Sequence, residues 1–526
     1  MDDIVSSQSV ELCRALGSIN IAPGKSLREA LRLDGEVSLW DVVATFLALY
    51  RFPRLVPSAS GGHSVKLLAN SYIRPLRGIA ARLKDGLVRI PRGNQSCADW
   101  PLTKTNVVFL GFMKTFYRDV LSPVADLLVQ DDASAVVIGQ TAEPDRDLPF
   151  PTNLRFHSLW EHWDNEGTFR TKTMFRRLSE TRNAFARMNM AAELKRTLPF
   201  PIATSALKSE LSWLFRREFI RLIPFLVAAR HVLERHRPAL IVSADDADPR
   251  CRVFSLLGKM LGIPSLLVQQ GLTSRSYPEW VFFSHDRVTA MGDQSRDDMI
   301  AQGIPPENIL VTGHPGFDRI VDVDPDTRAK TRSAFGLAAD QKMILFASQP
   351  YYIGVFDSPQ IRRTMIDAIV RAADSQPASV LVIKPHPGER PACFRRLVRR
   401  YPRTRLAGKT AEMAILIKAC DVLITFHSTS GLEALYAGKP VINVDFPKSG
   451  GSKIYTQSGA TWTARSEDDI ASHLGFILSD RPSPDAGKRD GARQEFLREM
   501  TFLPDGKAAQ RIVKIVRMIL EGKAAG

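Results

Sequence analysis

From about residue 105 onward, short apolar runs that end in small or polar residues alternate with helix-compatible segments. This alternation constrains the fold more than any other feature of the sequence. The runs predict buried strands at residues 106–111, 135–139, 239–243, 264–269, 287–292, 308–312, 343–348, 380–384 and 422–425. Strands that alternate with helices indicate βαβ units in parallel sheets with right-handed crossovers. We therefore expect an α/β fold of two Rossmann-like halves that face a cleft.

The chain has 526 residues, which is more than one ordinary hydrophobic core accommodates, so several domains are expected. Residues 1–104 are predicted to form a mainly helical N-terminal extension, with a helix around 39–47 and loops at 58–63 and 92–96. No chemical role can be assigned to this extension. Residues 105–320 would form the first Rossmann-like domain, with a helical insertion, and residues 321–526 the second.

The formal net charge of +15 limits the classes of partner. A basic excess fits nucleic acid, an anionic membrane face or an acidic substrate. The sequence contains no zinc-finger spacing and no basic array interleaved with aromatic residues, so we expect no nucleic-acid binding. An anionic inner-membrane surface or an anionic acceptor is favoured, and the basic run at 390–409 is the candidate docking segment.

Cysteine usage and the apolar segments bear on the compartment. The five cysteines include no Cys-X-X-Cys pair, which argues against a zinc site or a disulfide framework and fits a reducing cytoplasm. No apolar run approaches the length of a membrane span, and the first residues lack the pattern of a signal peptide. We therefore expect a cytoplasmic protein. A peripheral position on the inner face of the cell membrane is compatible with this expectation.

Two strand ends in the second half carry polar residues suited to an anionic ligand. One is Lys-Pro-His-Pro-Gly-Glu at 384–389, and the other is His-Ser-Thr-Ser-Gly-Leu-Glu at 427–433. In open parallel sheets, ligands bind just beyond the carboxyl ends of the strands. A helix that begins near Ser428 would present backbone N–H groups and its positive dipole end to an anion, while Gly431 would permit close approach. The alternative is that Ser428 only caps the helix.

Several further side chains are candidates for binding the same ligand. His386 stands between two prolines and can donate to a phosphate oxygen or protonate a leaving group. Lys384 would pair with a phosphate or with Glu389, and His314 would face the leaving phosphate or serve as a turn residue. The predicted ligand-binding set is Lys384, His386, His427, Ser428, Thr429, Ser430, Gly431, Glu433, His314 and Gln349.

Group transfer to a hydroxyl requires a base, and the second half offers no obvious one. Asp245 and Asp246 follow the predicted strand at 239–243, where site residues collect in such folds. Their alternative role is helix capping. Glu166, in a polar cluster with Asp164, is a third candidate. The predicted catalytic set is therefore Asp246, Asp245, Glu166 and His386, with no bound metal.

The second half resembles bacterial surface-polysaccharide transferases of the GT-B superfamily. These include Kdo transferases, sialyltransferases and polysialyltransferases, and glycerol-phosphate polymerases. Their His-Pro motif matches residues 384–389, and their serine/threonine motif matches 427–433. In the sialyltransferase-like members, the two motifs hold the phosphate and sugar of a cytidine nucleotide. The resemblance implies a ribose contact for Glu433 and a CMP-linked ulosonic acid such as Kdo or sialic acid as donor.

Residues 243–318 are similar instead to UDP-GlcNAc 2-epimerases. The similar segments are Ser-Ala-Asp-Asp at 243–246, Leu-Gly-Ile-Pro at 261–264, Val-Gln-Gln-Gly-Leu at 268–272, Pro278-Glu279 and Val-Thr-Gly-His-Pro-Gly-Phe-Asp at 311–318. Gln269 occupies the position of the epimerases' catalytic glutamate and cannot act as an acid or base. The downstream His-Arg-Arg-Glu-Asn segment of the epimerases is also missing. These departures count against epimerase chemistry.

Together, the residues and the resemblance predict a cytoplasmic GT-B glycosyltransferase. It would move a sugar from a nucleotide donor in the C-terminal domain to a glycan or glycolipid acceptor in the N-terminal domain, without a cofactor or metal. The alternatives are a UDP-GlcNAc 2-epimerase-like enzyme, a CDP-glycerol-type glycerophosphotransferase and a non-catalytic scaffold of polysaccharide assembly.

Overall fold

The structure is a computed structural model of the whole chain, and nearly all of both predicted Rossmann-like halves is described. The residues it describes are 3–35, 37–56, 107–130, 135–139, 154–275, 277–321, 323–351, 356, 358–386, 388–408, 411–447, 454–479 and 486–522. The predicted loops at 58–63 and 92–96 lie outside them.

The described residues separate into two compact units, each built around one sheet. The seven-strand unit comprises the described residues within 3–290, 295–310 and 510–522, and the six-strand unit those within 291–294 and 311–509. The predicted α/β class with two parallel sheets is thereby confirmed. The described part of the N-terminal extension, residues 3–56, belongs to the seven-strand unit.

The sheet of the seven-strand unit has the order β5-β4-β3-β6-β7-β8-β9. Its strands are β3 (Val107–Leu110), β4 (Ala135–Gly139), β5 (Arg155–Ser158), β6 (Leu240–Ser243), β7 (Ser265–Val268), β8 (Arg287–Ala290) and β9 (Ile309–Val311). The pairings from β5 through β8 are parallel. Strands β3, β4, β6 and β7 are buried throughout, as expected for a parallel sheet covered on both faces.

Helices cover this sheet, and the N-terminal extension contributes several of them. The helices are Asp3–Ser18, Leu27–Ala30, Leu39–Phe46, Lys114–Phe116, Ser122–Gln130, Asn165–Arg187, Met190–Thr197, Thr204–Trp213, Phe219–His236, Pro249–Leu261 and Asp293–Ala301. A short hairpin of β1 (Asn20–Ala22) and β2 (Lys25–Ser26) lies between the first two. Arg177 and Thr181 donate hydrogen bonds to the carbonyl oxygens of Leu33 and Ala30, which joins the extension to the helical insertion.

The sheet of the six-strand unit has the order β12-β11-β10-β13-β14-β15, with every pairing parallel. Its strands are β10 (Lys342–Ala347), β11 (Ser379–Lys384), β12 (Thr404–Leu406), β13 (Val422–Thr425), β14 (Val441–Val444) and β15 (Trp462–Ala464). The surrounding helices are Pro315–Val321, Pro325–Ala334, Pro359–Asp374, Arg395–Arg400, Met413–Ala419, Thr429–Tyr436, Ile454–Ser458, Glu467–Leu478 and Ala486–Thr501. The last helix, Ala508–Leu520, begins in this unit and belongs from residue 510 onward to the seven-strand unit.

Strand register brings the polar strand ends of this unit to one edge. Ala347 pairs with Lys384, and Thr425 pairs with Asn443. The residues after these four positions therefore leave the sheet together at its carboxyl edge, where the fold leads us to expect ligands.

Some elements differ from the sequence-based expectation. Strand β5 lies at the sheet edge within a stretch predicted to be mostly helical, because a short edge strand carries little apolar signal. A π-helical turn, Tyr117–Leu121, precedes the α-helix that begins at Ser122.

No helix among the described residues has both the length and the apolar character needed to cross a bilayer.

Candidate functional site

The loop after β11 aims a neutral histidine at the carboxyl edge of the six-strand sheet. The ring Nδ1 of His386 accepts a hydrogen bond of 3.0 Å from the backbone N–H of Gly388. This contact assigns the proton of the neutral ring to Nε2, which makes that atom a donor suited to a phosphate oxygen. Burial lowers the pKa of His386, with Glu389 opposing and Lys384 adding to the effect. His386 is thus better suited to donate a hydrogen bond than to supply a proton as an imidazolium.

An arginine that sequence reasoning did not identify holds this loop in place. Arg362 forms an ion pair with Glu389, and its Nε donates to the backbone oxygen of Gln349 at 2.6 Å. The other Glu389 oxygen accepts from the backbone N–H of His386 at 3.0 Å. Because Arg362 lies on the helix Pro359–Asp374, far from the motif in sequence, only the fold reveals this pairing.

Lys384, predicted to pair with a phosphate or with Glu389, contacts a backbone oxygen. Lys384 is buried, and its ammonium group donates to the backbone oxygen of Gly408 at 3.1 Å. The side chain of Gln349 also connects loops, since its Oε1 accepts from the backbone N–H of His427 at 3.1 Å. Phosphate binding by Lys384 and Gln349 stays a prediction.

The helix Thr429–Tyr436 begins as the capping alternative predicted. Ser428 is its N-cap, with its side-chain oxygen accepting from the backbone N–H of Ser430 at 3.3 Å. The positive end of the helix dipole therefore points toward the same edge as the His386 loop. Glu433 is the fifth residue of this helix, and the ribose contact implied for it stays a prediction.

The packing around Gly431 leaves little room for a side chain, and the close approach of an anion to its backbone stays a prediction. A Cβ at this position would lie 3.1 Å from the Thr425 methyl carbon and 3.1 Å from the ring and hydroxyl of Tyr455. Tyr455 is itself fully buried, and its hydroxyl donates to the backbone oxygen of Ser428 at 2.7 Å. Neither neighbour can withdraw easily, because Thr425 is part of β13 and Tyr455 is fixed by this bond.

We therefore expect Gly431→Ala to destabilise the protein by about 1–3 kcal/mol, the usual cost of overpacking a core. Gly491→Ala is the matched control. Gly491 lies in the helix Ala486–Thr501 with open space around it, so alanine should stabilise that helix by roughly 1 kcal/mol. Urea unfolding measures both values, and a Gly431→Ala protein as stable as wild type would contradict the packing account.

His427 is the most unusual polar side chain at this edge. Its side chain is 5% exposed, and neither ring nitrogen has a hydrogen-bond partner among the described residues. Burial lowers the pKa of His427, and Asp445, whose Oδ1 lies 4.0 Å from Nε2, opposes this effect. A buried imidazole with two unsatisfied nitrogens is costly unless a ligand supplies the partners.

His314 takes the structural role that was its alternative. Its Nδ1 accepts from the backbone N–H of Gly316 at 3.2 Å, and its ring lies 4.5 Å from that of Phe317. These contacts shape the start of the helix Pro315–Val321. A phosphate contact by His314 stays a prediction.

In the seven-strand unit, Asp246 belongs to a buried polar network. One of its oxygens accepts from Arg252 at 2.7 Å, and the other is engaged by Ser284 and, at 3.0 Å, by Nδ1 of His285. His285 reaches Ser243 at 2.8 Å, and the Arg252 guanidinium also donates to the backbone oxygen of Asp41. The Asp246 side chain is 0% exposed. These contacts describe a structural carboxylate, so we do not propose Asp246 as the base.

Asp245, its neighbour, has the properties of a base. Its Oδ1 accepts from the backbone N–H groups of Ala247 and Asp248 at 2.8 and 3.1 Å. Burial, and secondarily the charge of Asp248, raise the pKa of Asp245 to about 7. A carboxylate with a pKa near the working pH is well matched to proton transfer.

A second carboxyl shares this environment, although it was quoted above only as part of a motif. Burial, followed by the charges of Asp245 and Asp246, raises the pKa of Glu279 to about 8. Carboxyl groups whose pKa values are raised into this range are candidates for proton transfer at neutral pH. The signal available in the sequence was the Pro278-Glu279 segment, 34 residues after Asp245.

The other acidic candidates have local partners. Asp164 caps the helix Asn165–Arg187 through Gly167, and Glu166 is an exposed side chain paired with Arg170 at 2.7 Å. The Gln269 amide donates to the backbone oxygen of Gly271 and to Ser295. Within the described parts of the chain, no cluster of three or more His, Cys, Asp or Glu side chains is arranged to hold a metal ion.

Comparison of the sequence with protein-family models shows one match. A family model described as UDP-N-acetylglucosamine 2-epimerase matches residues 284–517, which is less than half of the chain. The match begins after Asp245, Gln269 and Glu279. No curated protein matches the sequence.

Comparison with solved structures identifies proteins with a similar fold. A candidate UDP-N-acetylglucosamine 2-epimerase from Listeria monocytogenes is 12% identical, with a TM-score of 0.52, and the alignment covers 80% of this chain and 98% of that one. The S. aureus MnaA–UDP co-structure is 14% identical, with a TM-score of 0.50 and coverage of 79% and 97%. At identities this low, the structural similarity shows a shared fold and nothing more. The expected GT-B-like fold is confirmed to that extent.

Proposed function

We propose that this chain is a nucleotide-sugar-dependent glycosyltransferase. The donor would bind at the carboxyl edge of the six-strand sheet, and Asp245 of the seven-strand unit would serve as the base. The observation that carries the proposal is His427, a buried side chain whose ring nitrogens have no hydrogen-bond partner within the described part of the chain and which lies beside a capped helix N-terminus. Such a group is typical of a binding site for a small polar ligand.

The nucleotide is proposed to be a uridine diphosphate. The CMP-linked ulosonic acid expected from the motif resemblance has no support among the comparisons. The similar proteins named above are described as UDP-N-acetylglucosamine 2-epimerases or were solved with UDP. A UDP-sugar is therefore the first donor to test, with CMP-sugars and CDP-glycerol as the alternatives.

The proposed transfer uses few groups. Asp245, ionised above pH 7, accepts the proton of an acceptor hydroxyl. The oxygen of that hydroxyl attacks the anomeric carbon of the donor at the same time. The bond from that carbon to the phosphate oxygen breaks, and the nucleotide leaves with the electron pair. The Nε2–H of His386 and the N-terminus of the helix Thr429–Tyr436 stabilise the leaving phosphate. No step requires a cofactor.

The acceptor is proposed to be a glycan or glycolipid, and an anionic membrane surface stays part of the proposal. The short helix Arg395–Arg400 exposes Arg395, Arg396, Arg399 and Arg400. Arginine residues near an anionic lipid surface each contribute about 1 kcal/mol to attraction. Binding to vesicles that contain anionic lipid, abolished by high salt, would support this part.

Epimerisation of a UDP-sugar at C2 is the second candidate. The family match and the Asp245–Glu279 pair favour it, because removing and returning a ring proton requires both an acid and a base. Against it stands Gln269, whose amide is engaged by Gly271 and Ser295 where epimerases have a glutamate.

Proton NMR of UDP-GlcNAc incubated with the protein in D2O separates the two candidates. A transferase moves the sugar to water slowly and to a sugar acceptor faster. It releases UDP in both cases and leaves the C2 proton of the sugar in place. An epimerase replaces that proton with deuterium in the absence of any acceptor. If UDP-GlcNAc, UDP-glucose, CMP-Kdo and CDP-glycerol all remain unchanged, the enzyme proposal is overturned and the scaffold alternative is favoured.

A further inference from the structure

His427 is one member of a connected polar cluster at the ends of β13 and β14. Its Nε2 lies 4.0 Å from Asp445 Oδ1, and the other Asp445 oxygen accepts from the Thr456 hydroxyl at 3.0 Å. Thr456 accepts in turn from the Asn443 amide at 3.3 Å. Asn443 is the register partner of Thr425, two residues before His427. The fold thus places all four side chains at one point of the sheet edge.

Two of these buried side chains retain hydrogen-bonding atoms without partners among the described residues. These atoms are Nδ1 and Nε2 of His427 and Oδ1 of Asn443, and Asn443 is 0% exposed. Buried polar atoms are normally satisfied, and each exception calls for an explanation. Three such atoms in one connected cluster indicate a site whose partners arrive with a ligand.

The charges around the cluster identify the kind of group that fits. Burial lowers the pKa of His427, so the ring is neutral at pH 7 and carries one donor and one acceptor nitrogen. The carboxylate of Asp445 lies 4.0 Å from Nε2 of this ring. A phosphate would face this carboxylate and would offer only acceptor oxygens to Asn443 Oδ1, which needs a donor. A hydroxyl donates and accepts, so it satisfies each unpartnered atom.

We propose that His427, Asn443, Asp445 and Thr456 form a hydroxyl-binding subsite that takes neighbouring hydroxyl groups of a sugar ring. This inference rests on the proposed function and revises one part of it. The His386 loop and the helix N-terminus bind the phosphate, whereas His427 binds hydroxyl groups of a sugar ring. The hydroxyls can come from the ribose of the nucleotide or from the transferred sugar.

Isothermal titration calorimetry with four ligands tests the subsite. UDP, 2′,3′-dideoxy-UDP, UDP-GlcNAc and pyrophosphate are titrated into wild type, His427→Phe, Asn443→Leu and Ser428→Ala. His427→Phe and Asn443→Leu should weaken the sugar-dependent binding roughly tenfold, the effect expected from losing a hydrogen bond, and change pyrophosphate affinity less than about twofold. Ser428→Ala is the matched control, because it should weaken all four ligands.

The ligand pairs distinguish the two sources of the hydroxyls. If ribose binds, wild type prefers UDP to dideoxy-UDP and the variants lose that preference. If the transferred sugar binds, wild type prefers UDP-GlcNAc to UDP and the variants lose that preference instead. The melting temperature of His427→Phe should not fall, since the ring nitrogens make no hydrogen bond to any residue that the structure describes.

Two results would overturn the inference alone. In one, His427→Phe weakens pyrophosphate as much as UDP, which would make His427 a phosphate ligand. In the other, both variants bind every ligand as wild type does. If wild type binds none of the four ligands, the proposed UDP-sugar donor fails, and the subsite inference fails with it.

Discussion

Replacing Asp245 by asparagine is expected to lower kcat of the proposed transfer by roughly 10²–10⁴-fold, the usual contribution of a positioned general base. Asparagine has the same shape and keeps the oxygen that accepts from Ala247 and Asp248, so the turn after β6 should survive. What it loses is the ability to accept a proton. The loss should therefore appear in kcat, while the affinity for the nucleotide donor stays unchanged.

The pH profile gives this prediction a second readout. Since the pKa of Asp245 is raised to about 7, the wild-type rate should increase as pH rises through 7. Asp297→Asn is the control, because Asp297 is an exposed carboxyl of the same unit and should leave kcat unchanged. An Asp245→Asn enzyme with wild-type kcat, or one that keeps the wild-type pH profile, would remove Asp245 from the mechanism.

The same raised pKa affects stability. Between the usual carboxyl pKa of about 4 and the folded value of about 7, the folded protein binds more protons at Asp245 than the unfolded chain does. The free energy of unfolding should therefore fall as pH rises through this window and level off above it. Asp245→Asn should flatten this slope, and Glu279→Gln should flatten the part that extends to about pH 8.

Replacing Asp246 by alanine is expected to destabilise the protein by about 3–5 kcal/mol, the typical cost of breaking a buried ion pair by removing one partner. The Arg252 side chain is 3% exposed. Without the Asp246 carboxylate, the hydrogen bonds that its guanidinium keeps in this network are those to backbone oxygens, including that of Asp41. His285 and Ser284 would each lose a buried partner as well. Urea unfolding at pH 7 measures the change.

Glu166→Ala is the matched control for this variant. Glu166 also forms an ion pair with an arginine, but its side chain is 63% exposed, and such surface pairs contribute about 0–1 kcal/mol. If Asp246→Ala costs no more than Glu166→Ala, the buried network does not support the fold as described. Because Arg252 also binds the Asp41 carbonyl, the loss should loosen the N-terminal helices together with the loop after β6.

The architecture was readable from the sequence wherever strands are buried on both faces. Strands β6, β7, β10, β11 and β13 appeared as continuous apolar runs. Strand β5 was not predicted, because its order depends on pairing with β4 and not on its own composition. The N-terminal extension packs into the seven-strand unit through contacts such as Arg252 with Asp41 O, which no local pattern reveals.

The candidate site divides in the same way. Motifs at strand ends located Asp245 in the seven-strand unit and His386, His427 and Ser428 in the six-strand unit, because topology brings the strand ends of one sheet to the same edge. They did not show which of two adjacent aspartates is enclosed by an arginine and which has a raised pKa. That distinction comes from Arg252, Ser284 and His285, and Glu279 becomes relevant only through its proximity in the folded unit. Equally, the exclusion of a side chain at Gly431 depends on Tyr455, 24 residues further along the chain.

Calorimetric titration of the wild-type protein with UDP, CMP and CDP-glycerol tests the central claim most directly. A nucleotide held by the six-strand unit should bind with a dissociation constant below about 1 mM, equivalent to roughly −4 kcal/mol. The preferred nucleotide should bind more weakly to Ser428→Ala and with unchanged affinity to Asp245→Asn. Absence of binding to all three nucleotides, or binding that Ser428→Ala leaves intact, would contradict the account.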